Sequence, residues 1–425
     1  MFIQIHMLQS MPPGNLNRDD TGQPKKCIFG GVTRGRISSQ CLKRNIRHST
    51  QFKDAFGDTL ASRTRYLPRM VADELRGNKS LDFPSEEIRE LGQALARKFK
   101  SEGTGDNEGG EQKSEGGRSE PSPPAEGAEE RTGQLVFFPA PFARRIAELA
   151  AEFKRQHPRP YEDFLGRKLT PKATDEEKKE VACFLRRIHE ASECLTLDIG
   201  LFGRMTTSDL VVNVEAACQV AHAISTHETI IESDYFTAMD DLKHQYVEGQ
   251  TSKSGAALIG SGEKETFFNA AVYYKYLNLD VRALRKHLPL LNAETTARAV
   301  GVLLSAAALA TPTGKQTSFA SHSVPELILV EISSLRRPLS YANAFLRPVQ
   351  GGVDRNLMAE SARALQEYLD SVGEAFAPGD VQRFALTTGH ARGVCSTNGI
   401  TTEASFEKLI ESVEKLVRQK GRAVA

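Results

Sequence analysis

The chain has 425 residues, 40% hydrophobic and 26% charged, with a formal net charge of +1, a balance that excludes a disordered chain and supports a sizeable core in more than one lobe. No apolar run of about 18 residues occurs, which argues against a membrane span. Six cysteines stand apart with no CxxC pair, so reduced, non-ligating thiols in the cytoplasm are expected, with no metal and no cofactor.

"FIQIHMLQSM" places Ile3, Ile5 and Met7 on one face and Gln4 and His6 on the other, the period of a strand. Without a basic start or a long apolar core, the segment reads as structure rather than a signal peptide. "SMPPGNLNRDDTGQPKK" is a loop, and "CIFGGVTRGRIS" gives short extended pieces around a Gly pair. A helix follows from about Ser39, with Ser38 or Ser39 as its N-cap. From about Gln51 to Lys100 the patterns read as helical, including "DAFGDTLASRTRYLPRMVADEL" and "SEEIRELGQALARKFK". Residues 101–131 hold nine acids against three bases and no aliphatic anchor. They cannot offset their ordering entropy by burial and are expected to form a disordered acidic surface loop. "APFARRIAELAAEFKRQ" and "DEEKKEVACFLRRIHEASEC" are again helical, whereas "TLDIGLFGRMTTSDLVV" reads as strand and loop. The segment around "CQVAHAIST" fits either a helix or an alternating strand. "KSGAALIGSGEKE" is a flexible loop, "TFFNAAVYYKYLNLD" a strand, "TTARAVGVLLSAAALA" a buried helix and "PELILVEIS" a strand, with a mostly helical remainder. Strands flanking a long helical insertion predict an α+β chain with lobes.

Charge is segregated. Residues 1–50 carry eight bases (Arg18, Lys25, Lys26, Arg34, Arg36, Lys43, Arg44, Arg47) and two acids, Asp19 and Asp20. With the helix starting at Ser38 or Ser39, Gln40, Lys43, Arg44 and Arg47 fall at i, i+3, i+4 and i+7, one continuous stripe. Leu42 and Ile46 lie opposite and would bury. A lone basic face is usually solvated surface, but the added cations of the preceding loop favour a polynucleotide track that grips phosphates without reading sequence.

"LNRDD", "IFGG", "RISSQCLKRNIR", "DIGLFGRMTTSD", "AHAISTH", "DYFTAMDDL", "GKQTSF" and "PLSYANAF" occur in this order across nearly the whole chain. Together they resemble the CasC family, the crRNA-binding backbone subunit of the type I-E CRISPR Cascade complex, in the RAMP superfamily. The resemblance implies a right-hand fold with a modified RRM, or ferredoxin-like, palm, helical fingers and a β-hairpin thumb. Its implied parts are palm at 1–57, 197–228 and 261–350, fingers at 58–196, thumb at 229–260, and a mostly helical segment at 351–425. It further implies copies stacked along crRNA beside other Cascade subunits, with bases left to pair with target DNA. The crRNA contacts it implies are Arg18, Lys25, Ser38, Gln40, Lys43, Arg44 and Arg47. Arg204 and Met205 of "FGRM" follow, with Met205 as a wedge beside a kinked nucleotide. Tyr235, Phe236 and Thr237 would flank the other side of that kink, and Lys315 adds a further contact. From the residues alone, Met205 would be core filling and Phe236 a hydrophobic anchor. His222 and His227 read as structural.

The alternative is a metal-dependent target-RNA endoribonuclease of the type III backbone kind, using Asp19 or Asp20. A turn or local salt bridge is the simpler role for these acids, and a non-catalytic protein is expected. "TPTGKQT" is not a P-loop, because Gln316 and Leu309 stand where Ser or Thr and the first Gly are required.

Overall fold

A computed structural model describes residues 1–99, 131–167, 172–235, 238–239, 256–257, 265–376, 379–395 and 399–422. Residues 101–130 of the expected acidic loop, and most of the expected thumb, lie outside the described residues. The chain forms two compact units. The first, a sheet unit, comprises residues 1–55, 218–285 and 289–425; the second, a helical unit, comprises 56–217 with 286–288.

In chain order, β1 (Phe2–Gly14), β2 (Lys26–Phe29), β3 (Val32–Ile37), α1 (Ser39–His48) and α2 (Thr50–Phe56) come first. Then follow β4 (Ala61–Thr64), α3 (Leu67–Gly77), α4 (Ser85–Lys98), β5 (Val136–Pro139), α5 (Ala140–Gln156), α6 (Pro158–Leu165), α7 (Asp175–Ala191) and α8 (Leu197–Phe202). Next are β6 (Cys218–Val220), β7 (Ala223–Ser225), β8 (Glu232–Tyr235), β9 (Ala238–Met239), β10 (Ala256–Ala257) and β11 (Glu265–Asp280). The remainder is α9 (Val281–His287), α10 (Ala293–Leu309), α11 (Gln316–Phe319), β12 (Leu327–Ser333), α12 (Leu357–Phe376), β13 (Val381–Thr387), β14 (Ile400–Thr402) and α13 (Phe406–Arg422).

The main sheet runs β14-β13-β12-β1-β11-β7-β3-β2, with β6 and β8 also paired to β11. Among the described residues, only the β13–β14 pairing is parallel. β1 is buried on both faces, so the polar side of its alternation is enclosed and needs internal partners. Gln4 Oε1 accepts from Tyr276 OH and from Leu339 N, each at 2.7 Å. His6 is fully buried, with Nδ1 2.8 Å from Tyr274 OH and Nε2 3.3 Å from Glu331. Glu331 also takes Arg383 Nε at 2.7 Å and Tyr341 OH at 2.9 Å. Burial raises its pKa, but bonds from His6 and Arg383 outweigh that and hold it down at about 2. This face packs Leu8, Tyr274, Leu329, Phe345, Leu365 and Leu369 into one core.

The opposite face holds Lys275, only 4% exposed. Its Nζ donates to Gln9 Oε1 at 2.8 Å and to Ala307 O at 2.7 Å. That carbonyl belongs to the last turn of α10, where the helix dipole favours a cation. Burial still lowers the Lys275 pKa to about 7.

The helical unit closes over a core that includes Leu75, Leu91, Phe138, Phe142, Ile146 and Phe153. β4 pairs antiparallel with β5 in a separate two-stranded sheet, and Ala61, Ile199 and Val214 share a small core beside it. The α+β class expected from sequence is present, with four local differences. "ASRT" is a strand within a stretch read as helix, and Leu197–Phe202 is a helix within a stretch read as strand and loop. β6 and β7 resolve the ambiguous segment as strand, and β13 and β14 interrupt the C-terminal part read as mostly helical. Residues 197–217, which the resemblance gave to the palm, pack with the helical unit.

Lys275 sets a pH dependence. Its folded pKa of about 7 lies below the ordinary lysine value near 10.4, so the unfolded chain binds the proton more tightly between these values. Stability should therefore rise with pH across that window. Comparing melting temperatures at about pH 7 and about pH 9.5, wild type should gain relative to Lys275→Met as pH rises. An offset between the two proteins that stays constant would show that Lys275 does not titrate this way.

Candidate nucleic-acid interface

In the sheet unit the first loop is built by its own side chains. Asn15 Nδ2 donates to Gly22 O at 2.9 Å and to Phe267 O at 2.8 Å. Asp19 Oδ1 accepts from Thr21 N and Gln23 N, both at 3.0 Å, and from Thr21 Oγ1 at 2.7 Å. These bonds, the Thr21 hydroxyl first, hold the Asp19 carboxyl below its usual range. Asp19 therefore closes a turn, as the simpler expectation had it, and Asp20 is exposed beside it.

The loop is latched to α1. Ser38 N donates to Asn17 Oδ1 at 2.8 Å, while Ser38 Oγ caps the helix by accepting from Cys41 N at 3.3 Å. His222 Nδ1 accepts from Ser39 N at 3.2 Å, which requires its neutral ring, and burial with Arg36 and Lys25 nearby lowers its pKa. His227 likewise bonds backbone through both ring nitrogens, at Glu228 O and Val272 N. Both histidines serve the backbone, as expected.

Leu42 and Ile46 are buried, as the helix periodicity predicts. Gln40, Arg18 and Arg44 are exposed, and Lys25, Lys43 and Lys315 are half-buried. Arg47 departs from the expected stripe. It is 8% exposed and shares the buried side with Asn45, so the outward ridge is Gln40, Lys43 and Arg44. Arg34, counted above among the surface cations, is fully buried. It donates to Phe29 O, Ser225 O and Phe345 O at 3.1, 3.1 and 2.7 Å, and so fastens the β2–β3 hairpin. Asn17, Arg18, Asp20, Arg44 and Thr313 line an open groove of ≈ 530 Å³. A Cβ on Gly314 would stand 2.6 Å from Asn15 O and 2.7 Å from Leu16 O. Only glycine lets this loop pass so close, and Lys315 follows it in sequence without lining the groove.

In the helical unit, Arg204 is 2% exposed and acts as a staple. Its guanidinium donates to Val212 O at 2.9 Å, Ser192 O at 2.7 Å and Phe137 O at 3.4 Å. Burial lowers its pKa to about 10. Such enclosure directs its charge to carbonyls rather than to a ligand, against the contact expected for it. The next residue does the opposite: Met205 is 87% exposed, which rules out core filling. Gly203, at φ +80, sets the turn in a conformation that L side chains rarely adopt. Tyr235 lies in β8, and Phe236 and Thr237 lie outside the described residues. No group of three or more His, Cys, Asp or Glu suited to a metal occurs among the described residues. None of the described helices is long and apolar enough to cross a membrane.

A model of the CT1975-like protein family matches residues 3–412. The chain belongs to that family. No curated protein matches it. Among solved structures, it is similar to a chain of a "CRISPR RNA-guided surveillance complex, pre-nicking", at 25% identity and a TM-score of 0.73, with 98% of this chain and 100% of that one covered. It also shares its fold with a chain of a "CRISPR RNA-guided surveillance complex", at 22% identity and a TM-score of 0.64, with the same coverage. The periodicity of α1 places Gln40, Lys43 and Arg44 on the outward side, as observed, but overcounts its outward cations by Arg47. Burial is what the sequence could not display, since Arg34 and Arg47 look no different from Arg36 and Arg44 in composition.

Arg204 and Met205 should separate cleanly in denaturant melts. Arg204→Met removes the donor from the carbonyls of Ser192, Val212 and Phe137, the first of them buried, and should cost about 3 kcal/mol. Met205→Ala should stay within about 0.5 kcal/mol, as expected for an exposed position. Similar losses for both would contradict the staple.

Proposed function

We propose that the chain is a non-catalytic backbone subunit of a CRISPR RNA-guided surveillance complex, of the type I-E CasC kind. The carrying observation is the end-to-end likeness to a chain of such a complex, 98% of this chain against 100% of the other at 25% identity. In this reading several copies polymerise along crRNA in the cytoplasm, together with the other Cascade subunits. The sheet unit serves as a modified RRM palm, the helical unit as fingers, and residues 229–260 as the thumb. Arg18, Lys25, Lys43, Arg44 and Lys315 hold guide phosphates, Gln40 donates a hydrogen bond, and Ser38 sets the helix that presents them. Met205 wedges beside a kinked nucleotide, where a thioether replaces lost stacking. The remaining bases stay open to target DNA.

The groove supports this reading because it joins exposed Arg18 and Arg44 to a loop fixed by hydrogen bonds, so a phosphate meets cations already positioned. The turn role of Asp19 favours scaffolding over the ribonuclease alternative, since one carboxylate oxygen already accepts three bonds.

Two variants test the reading. Arg18→Ala with Arg44→Ala should weaken guide-RNA binding across unrelated sequences and lower the log–log salt slope by about 0.7 for each phosphate no longer held. An unchanged slope would remove the groove from the RNA path. Met205→Ala should keep most of the affinity but blur the periodic base reactivity of the bound guide; a sharp, unaltered pattern would reject the wedge.

A further inference from the structure

Most arginines on the surface of the helical unit are neutralised in place: Arg76 by Asp73, Arg145 by Glu148, Arg159 by Glu177, Arg167 by Glu90 and Arg187 by Glu152. Exposed Arg97 and Arg155 form no ion pair among the described residues, and neither do four arginines of β4, its flank, the start of α3 and the approach to β5. These four are Arg63, Arg65, Arg69 and Arg131, all exposed. No Asp or Glu occurs from 59 to 72 or from 131 to 147.

The fold gathers these four. Arg63 pairs across the β4–β5 ladder with Phe137, and its guanidinium lies 5.7 Å from that ring's centroid. Thr132 N donates to Arg65 O at 2.8 Å, and Arg131 lies 5.0 Å over the Tyr66 ring. Arg69 stands in the first turn of α3, which contains no acid and receives no side-chain cap from Tyr66. A cation at that end of a helix opposes the dipole. These four like charges thus lie around one two-stranded ladder and one helix start. The guanidinium groups stacked on rings keep their donor edges available, in the geometry that suits phosphate. Tyr66 is 42% exposed and Leu135 49% exposed. Arg63, Leu135, Phe137 and Met205 line an open groove of ≈ 360 Å³. Cations interleaved with aromatic and apolar faces suit a single strand, which offers phosphates and unstacked bases together.

We propose that Arg63, Arg65, Tyr66, Arg69 and Arg131 form a second nucleic-acid surface, and that its occupant is the DNA strand pairing with the guide. This rests on the guide-holding reading above. Pairing adds one phosphate for each one already present, and this cluster supplies charge for it in a unit that contains none of the sheet-unit groove residues.

The test uses complexes assembled with repeat–spacer RNA and the neighbouring CRISPR proteins. Wild type is compared with a variant carrying Arg63→Ala, Arg65→Ala, Arg69→Ala and Arg131→Ala. All four positions are exposed, and a melt confirms folding. A complementary DNA single strand is titrated from about 50 to about 200 mM salt. The variant should retain its guide RNA, bind DNA at least about tenfold more weakly, and show a salt slope reduced by about 0.7–0.9 for each phosphate released. A four-Arg→Lys variant should keep the slope and lose only part of the affinity, because lysine meets phosphate as a point charge without the planar fork. DNA binding and slope equal to wild type would overturn this surface alone. Loss of guide RNA from the variant would assign the cluster to the guide and overturn the DNA assignment. Absence of guide RNA from the wild-type particle would overturn both readings.

Discussion

The sheet unit depends on one strand. β11 pairs along one edge with β8, then β7, then β6, and along the other with most of β1. Its 16 residues span about 50 Å at the rise of an extended strand. A one-residue slip would exchange Tyr274 and Tyr276 for Lys275, moving a cation into the aromatic core and two phenols against α10. Register is therefore fixed chemically as well as by shape. Lys275 accepts only the side with Gln9 Oε1 and Ala307 O, while Tyr274 and Tyr276 find His6, Gln4 and Tyr341 on the other.

From that strand the groove follows by short steps. Asn15, at the end of β1, ties its amide to Phe267 O on β11 and to Gly22 O across the first loop. Asn17 then receives Ser38 N, and Ser38 starts the helix that presents Lys43 and Arg44. The chain thus uses its neutral amides and hydroxyls to hold geometry and leaves much of its guanidinium and ammonium charge toward solvent. Arg34, Arg204, Arg47 and Lys275 are the exceptions among the described residues, and the first two show what a buried arginine does here: it gathers carbonyls from segments distant in sequence and fixes a hairpin or a loop. Met205 is exposed because Arg204 holds the loop from beneath.

Local signals are the legible ones. Alternation in "FIQIHM" marks β1, the Ser38 cap and the Leu42–Ile46 spacing mark α1, and the Asp19 turn is readable from "RDDTG". Elements decided by distant partners are not. "LDIGLF" has a central glycine and β-branched content that weaken helix propensity, yet all six residues are buried and the helix forms. β13 exists because β12 offers an edge and Glu331 a buried partner for Arg383, neither of which its own sequence announces. The arginines around the β4–β5 ladder are hidden because "ASRTRYLPR" sits inside a helical pattern, and their lack of ion pairs among the described residues is a property of three dimensions. The order of eight separated motifs carries the functional reading further than periodicity could.

The central claim is that copies of this chain line up on one guide. Native mass measurement of particles purified with repeat–spacer RNAs of two spacer lengths tests it most directly. One RNA per particle, with several copies of this chain that increase on the longer guide, is the predicted result. A single copy per particle at both lengths, or particles that form without RNA, would contradict the account.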